Sequence, residues 1–165
     1  MTENYGPVTT DLPDDLFDDS PLPGATFPQA VRRLVRRYTV FSGRASRSEY
    51  WWVALFYLLV EVGAGVVAAV VAGVTGSIVG DDSTAFGWVM GIVLGLAALA
   101  WLLLLIPGIA LAVRRMHDAN LSGWLLLMCL VPGLVLVGIV FMLLPSNPAG
   151  ARFDRAVPIP PLDEE

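Results

Sequence analysis

Three long apolar runs constrain this chain more than any other feature of its sequence. They span residues 51–74, 86–113 and 124–144, and hydrophobic residues make up 56% of the chain. A helix of about 20 residues crosses a hydrocarbon core of about 30 Å. Its backbone N–H and C=O groups hydrogen-bond within the helix, as lipid requires. The sequence therefore predicts an all-α integral membrane protein with three hydrophobic helical segments.

The third apolar run contains Pro132 and Gly133 at its centre, and both residues interrupt helices. One geometry is a kinked single crossing, which places Arg152 and Arg155 outside the cell. The other is a re-entrant pair of half-helices, which keeps all ten arginines of the chain on one side. We favour the crossing, because two bases after the last span bias topology only weakly.

The polar ends of the chain differ from this apolar body, which we place at residues 26–155. Residues 1–25 carry six acids and no base, so they are predicted to form a disordered acidic tail. The same prediction is made for residues 156–165. An acidic N-terminus without a basic region also argues against a cleaved signal peptide.

An amphipathic interfacial helix is predicted over residues 27–41. Thr26 and Gln29 have capping-box spacing, and apolar residues then recur at helical spacing. Four arginines flank the apolar stripe: Arg32, Arg33, Arg36 and Arg37. This pattern is typical of a helix in the headgroup region with its bases toward anionic lipid. We expect no nucleic-acid binding, because topology explains bases beside a membrane entry point.

The distribution of charge predicts the orientation of the first two spans. Basic pairs precede the first span and follow the second, whereas the connector 75–85 contains Asp81 and Asp82 and no base. Because basic loops stay in the cytoplasm, the N-terminus is expected there and the connector outside. The hairpin then brings one set of polar residues to the cytoplasmic face: Arg44, Arg47, Glu49, Arg114, Arg115, His117 and Asp118.

This Arg/His/Asp cluster is the best candidate binding site in the sequence. Guanidinium groups form paired hydrogen bonds with phosphates and carboxylates, so the cluster suits anionic lipid headgroups or an acidic group of a protein partner. Mutual salt bridges that lock the hairpin are an equally good interpretation. The leading hypothesis is a non-enzymatic assembly or accessory protein.

Glu61 lies about ten residues into the first span, near the bilayer midplane. A carboxyl there costs about 2.5–3.5 kcal/mol on the insertion scale, so Glu61 should face the bundle interior. A small transporter or proton-coupled channel that uses Glu61 is the first alternative function. A carboxyl that fixes helix packing, or faces a partner subunit, is the structural alternative.

Small residues recur every four positions in both of the first two spans. Such faces allow close helix packing, either between the two spans or against a second copy of the chain. The residues are Gly65, Ala69, Gly73, Gly87, Gly91 and Gly95.

An enzyme that modifies membrane lipids through His117 and Asp118 is the second alternative function. One histidine without a second ligand or a nearby nucleophile gives it little support, and no metalloprotease, P-loop or Rossmann motif occurs. Cys129 is the single cysteine, which excludes an intrachain disulfide and a thiolate metal site. We therefore expect no catalytic residues, metal or cofactor.

Three spaced motifs give a family resemblance. They are Phe41-Ser-Gly43-Arg44-Ala-Ser-Arg47-Ser-Glu49-Tyr50-Trp51-Trp52, Arg114-Arg115-Met-His117-Asp118, and Ser122-Gly123-Trp124. Over roughly residues 28–155 the chain resembles the bacterial domain of unknown function 805 family. The resemblance implies a small multi-pass inner membrane protein without an established activity. Of the family's closing Asn-Arg-Phe-Gly, only Arg152 and Phe153 are present.

Overall fold

The computed structural model describes residues 19–131 and 134–155, and these residues contain helices and no strand. The all-α prediction is confirmed. Two 3-10 helices, Gly123–Leu130 and Pro148–Phe153, lie on either side of the last α-helix. The α-helices are α1 (Phe27–Arg36), α2 (Arg47–Val79), α3 (Thr84–Asp118) and α4 (Val135–Leu143).

Helices α2 and α3 form a hairpin, and both are long and apolar enough to cross a membrane. The capping box at the start of α2 is present: Ser46 accepts from the Glu49 N–H, and Glu49 accepts from the Ser46 N–H at 2.8 Å. Ser83 caps α3 through the Phe86 N–H at 3.0 Å. Almost none of their most apolar stretches is buried within the protein, as expected for helices that face lipid.

A proline inside α3 connects this helix to the end of α1. Pro107 has no N–H to donate to the Leu103 carbonyl one turn earlier. The Tyr38 hydroxyl donates to that carbonyl instead. The Tyr57 hydroxyl of α2 donates to the neighbouring carbonyl, that of Leu104, at 2.5 Å. The backbone irregularity at Pro107 therefore becomes an attachment point for α1 and α2.

The third apolar run forms two short helices, and its two ends meet at the same end of α3. Gly123 follows α3 within a few residues, and the Arg115 side chain donates to the carbonyls of Met142, at 3.2 Å, and Leu144. The Asn147 N–H donates to the Asp118 carbonyl at 2.7 Å. The kinked crossing that we favoured is therefore wrong, because Arg115 and Asp118 hold the returning chain. The re-entrant alternative agrees with these contacts.

The predicted acidic tail extends too far at its C-terminal end. Residues 19–25 pack on the helices: the Leu22 N–H donates to Glu49 at 2.9 Å, and the Ala25 N–H donates to Ser48 at 3.0 Å. Asp19 is buried. The expectations for residues 1–18 and 156–165 lie outside the described residues.

Helix α1 is shorter than predicted and faces differently. It ends at Arg36, and Gln29 accepts from the Thr26 N–H at 2.9 Å, as the capping-box spacing predicted. Arg33 and Arg37 are buried, whereas Val35 is exposed. Our expectation that all four arginines face lipid headgroups is therefore wrong for these two, because α1 packs on α2 and α3 through part of its basic face.

A small apolar core joins α1 to the N-terminal part of α2 and the C-terminal part of α3. These are the parts that the charge distribution predicts to lie nearer the cytoplasm. It consists of Ala30, Leu34, Ala45, Val53 and Leu111. Around this core lies a polar region that we call the polar cap. The polar cap comprises residues 19–49, 114–118 and 144–155.

Candidate functional site

The polar cap contains an unusual number of buried charges. Each residue of the set is at most 7% exposed, and removing a charge from water is costly unless the charge is paired. The set is Asp19, Arg33, Arg37, Glu49, Arg114, Arg115 and Asp118. Its pairing decides which residues remain able to bind a ligand.

Glu49 connects three parts of the polar cap. Its carboxylate pairs with the Arg33 guanidinium of α1 at 2.9 Å, and both side chains are almost fully buried. The carboxylate also accepts from the Leu22 N–H at 2.9 Å and from the Ser46 N–H at 2.8 Å. The predicted site residue Glu49 is therefore fully engaged within the protein.

Arg115 and Asp118 form a second buried pair, at 2.7 Å, with neither side chain exposed. The Ser146 hydroxyl donates to the same Asp118 oxygen at 2.5 Å. Because Arg115 also donates to the carbonyls of Met142 and Leu144, this pair fixes the returning chain against α3. Neither residue is accessible to a lipid phosphate.

Arg44 and Asp154 form a two-pronged ion pair, with Nε at 3.0 Å from both carboxylate oxygens and a terminal nitrogen at 2.7 Å from one. The half-buried Arg44 thereby binds the C-terminal segment rather than an external ligand. Close by, the Gly43 N–H donates to the Phe153 carbonyl at 2.9 Å. The loop before α2 and the C-terminal 3-10 helix form one surface.

Asp19 pairs with Arg155 at 2.9 Å, and the Arg155 N–H also donates to its carboxylate at 2.8 Å. Burial favours a higher pKa for Asp19, but the hydrogen bonds from Arg155 and the charges of Arg155 and Arg37 outweigh it. The Asp19 pKa is therefore below its usual value. The same pair raises the pKa of Arg155.

His117 and Asp118 are adjacent in sequence but have separate partners. The His117 ring stacks on Phe153, with centroids 4.1 Å apart and 5° between the planes. Its Nδ1 lies 3.2 Å from the Gly43 carbonyl oxygen. Asp118 is bound instead by Arg115 and Ser146. Among the described residues, no group of three or more His, Cys, Asp or Glu side chains could hold a metal.

Arg114 is completely buried. Its Nε donates to the Ala110 carbonyl at 3.3 Å, and its own carbonyl accepts from the Ala45 N–H at 3.1 Å. Of the seven residues in the predicted cluster, only Arg47 is exposed, and Arg44 and His117 are half-buried. Of the mutual salt bridges that we considered as an alternative, one lies within the cluster, between Arg115 and Asp118, whereas Glu49 and Arg44 pair with residues outside it.

The exposed charges are segregated between the two ends of the α2–α3 hairpin. Asp81 and Asp82 are exposed in the short turn between these helices. All exposed arginines among the described residues lie in the polar cap: Arg32, Arg47, Arg152 and Arg155. Only the arginine-bearing end therefore presents positive charge to its surroundings.

Glu61 lies on the exposed surface of α2, so the expectation that it faces the bundle interior is wrong. It is at the edge of a cavity of about 260 Å³ between α2 and α3, together with Trp101 and several alanines. Its neighbours Leu58 and Val62 are also exposed, because the two-helix hairpin is too thin to enclose this face.

The small-residue faces do not join α2 to α3. A Cβ added to Gly65, Gly73, Gly87, Gly91 or Gly95 would meet nothing within 4 Å, and Ala69 is exposed. Packing of these faces against a second copy of the chain stays a prediction.

Several cap residues with structural roles had no distinct signal in the sequence. Asp19 lies in an acidic stretch that resembles a solvated tail, and Ser146 lies in a polar turn. Their partners, Arg155 and Asp118, are 136 and 28 residues away. The polar turn Pro145-Ser146-Asn147 directly after an apolar run was the one signal that could have indicated a return to the polar cap.

Comparison with known proteins finds inner membrane proteins. Inner membrane protein YhaI of Escherichia coli K12 is 31% identical over 100 residues, which cover 60% of this chain and 69% of YhaI. Inner membrane protein YhaH of the same strain is 28% identical over 122 residues, covering 73% and 89%. No solved structure matches the chain at a significant level.

The sequence model of the family described as "Protein of unknown function (DUF805)" matches residues 38–155. This range contains α2, α3, the 3-10 helix Gly123–Leu130, α4 and the C-terminal part of the polar cap. The relatives are inner membrane proteins, and the two long apolar helices suit the same environment. The chain therefore belongs to the DUF805 family and, like these relatives, is a membrane protein.

Proposed function

We propose that this chain is a non-enzymatic, multi-pass assembly or accessory protein of the bacterial inner membrane, with its N-terminus and polar cap in the cytoplasm. Its exposed cap arginines bind anionic lipid headgroups. The observation that carries this proposal is the segregation of exposed charge, with arginines at the polar cap and Asp81 and Asp82 at the opposite end.

The pairing of the buried charges supports the choice of binding residues. The cap acids Asp19, Glu49, Asp118 and Asp154 each pair with an arginine. Arg32 and Arg47 are exposed and have no ion pair among the described residues. Unpaired guanidinium groups beside the ends of membrane helices attract the anionic cytoplasmic leaflet.

The arrangement of His117 and Asp118 favours a non-enzymatic role over the lipid-modifying alternative. A general base needs an accessible ring nitrogen and a partner that orients the ring. Nδ1 of His117 faces a backbone carbonyl, and the Asp118 carboxylate is buried in an ion pair. His117 and Asp118 therefore do not act together as the lipid-modifying alternative requires.

Replacing Arg32 and Arg47 together with Gln should weaken binding to anionic lipid by about fivefold for each charge removed, since one basic residue near the leaflet contributes about 1 kcal/mol. The measurement is the enrichment of phosphatidylglycerol over phosphatidylethanolamine around the protein in mixed nanodiscs. The matched control replaces Asp81 and Asp82 with Asn, which should leave the enrichment unchanged. Equal enrichment by the wild type and the Arg32→Gln/Arg47→Gln variant would contradict the proposal.

A further inference from the structure

A groove lies between α3 and the 3-10 helix Gly123–Leu130. It consists of two adjoining cavities of about 500 and 520 Å³. Ile109, Leu126 and Leu127 line both cavities, so the two lie side by side along α3. The groove begins in the polar cap and extends along α3 into its apolar part.

The deep part of the groove has an apolar lining. Trp101, Leu105 and Leu130 lie at this end, and His117 lies at the other. The 16 positions between Trp101 and His117 on α3 correspond to about 24 Å along the helix axis. One leaflet contributes about half of a 30 Å hydrocarbon core, so the groove is long enough for an acyl chain of that leaflet.

The shallow end of the groove carries polar and basic groups. His117, Ser122 and Phe153 line it, and Ser122 is exposed. The Arg152 guanidinium lies over the Phe153 ring, 4.7 Å from its centroid. The nearest carboxylate in this segment, Asp154, is already bound by Arg44. This end therefore has positive charge available for a phosphate.

The groove opens toward the surface that lipid covers. Trp124 and Leu127, on its 3-10 helix wall, are 79% and 54% exposed. An apolar groove with one basic end, open to the bilayer, matches an amphiphile with one anionic headgroup.

We propose that this groove holds one acyl chain of an anionic phospholipid, whose phosphate lies beside Arg152, Ser122 and His117. The inference rests on the proposed cytoplasmic lipid-binding cap and names one bound lipid within it. It differs from the surface binding of Arg32 and Arg47, because the groove encloses the chain of the lipid as well as attracting its charge.

The groove can be filled by Leu127→Trp, which adds bulk to both cavities. The matched control is Leu102→Trp. Leu102 lies on α3, is about as exposed as Leu127 and does not line the groove. Protein from mixed phosphatidylglycerol and phosphatidylethanolamine vesicles is delipidated with detergent, and retained phospholipid is counted by native mass spectrometry. We expect one phosphatidylglycerol on the wild type and on Leu102→Trp, and at least a tenfold loss on Leu127→Trp.

A second measurement needs no variant that fills the groove. In the detergent-delipidated protein, retained phosphatidylglycerol with a brominated acyl chain should quench the fluorescence of Trp101 and Trp124, and a Trp101→Phe/Trp124→Phe variant should lose most of that quenching. Arg32→Gln/Arg47→Gln should keep the retained lipid, so failure of surface binding and failure of the groove are distinguishable. Retention by Leu127→Trp equal to that of the wild type, or quenching unchanged in Trp101→Phe/Trp124→Phe, would overturn the inference.

Discussion

Replacing Glu49 with Ala should lower the free energy of unfolding by about 3–5 kcal/mol, the cost of removing one partner from a buried ion pair. Arg33 would lose its carboxylate partner at 2.9 Å while remaining buried. The N–H groups of Leu22 and Ser46 would lose their acceptor as well. The measurement is thermal or denaturant unfolding of the purified protein in one fixed detergent.

The matched control is Glu61→Ala, on the same helix. Glu61 is exposed, so its removal should not destabilise the protein. Glu49→Gln should give an intermediate loss, because an amide oxygen still accepts one N–H but carries no charge for Arg33. A loss below about 1 kcal/mol for Glu49→Ala would show that the polar cap does not depend on this carboxylate.

Replacing Arg115 with Ala should have the second large effect, again about 3–5 kcal/mol. The change leaves the Asp118 carboxylate buried without its cation and removes the donor to the Met142 and Leu144 carbonyls. The C-terminal segment should then detach from α3. Limited trypsin digestion checks this, because cleavage after Arg152 should become faster together with the loss of thermal stability.

The control for Arg115→Ala is Arg47→Ala, which removes an exposed guanidinium and should leave both stability and cleavage rate unchanged. Replacing Arg115 and Asp118 together should cost less than the sum of the single changes, since neither charge is then left unpaired. If the costs of the two single variants simply add, Arg115 and Asp118 do not stabilise each other.

The class of the protein could be predicted because it depends on local features of the sequence. Apolar run length predicted α2 and α3, and the Ser46 to Glu49 spacing predicted the capping box that starts α2. The family resemblance rested on short spaced motifs and was confirmed by the match over residues 38–155. These inferences required no knowledge of which helix faces meet.

The side-chain partners could not be predicted because they join distant parts of the chain. The sequence placed Arg33 on a basic helix face, but only the packing of α1 on α2 shows that it pairs with Glu49. For Arg33 an exposed position was expected and a buried one is found. For Glu61 a buried position was expected and an exposed one is found. A two-helix hairpin has little interior, so a residue deep in the span can still face outward.

The third segment shows the same limit. Pro132 and Gly133 indicated an interruption, but charge counting left the direction of the chain after it open. The buried contacts of Arg115 and Asp118 determine that direction, and they involve residues 27 to 29 positions apart in sequence. Such contacts have no periodicity that a sequence pattern could reveal.

The side of the membrane on which the C-terminus lies tests the account most directly. Reporter domains fused after Glu165, one active only in the cytoplasm and one only outside it, measure this in intact cells. Because Asp154 and Arg155 pair with Arg44 and Asp19 in the polar cap, we predict that only the cytoplasmic reporter is active. Activity of the external reporter alone would contradict the single cytoplasmic cap.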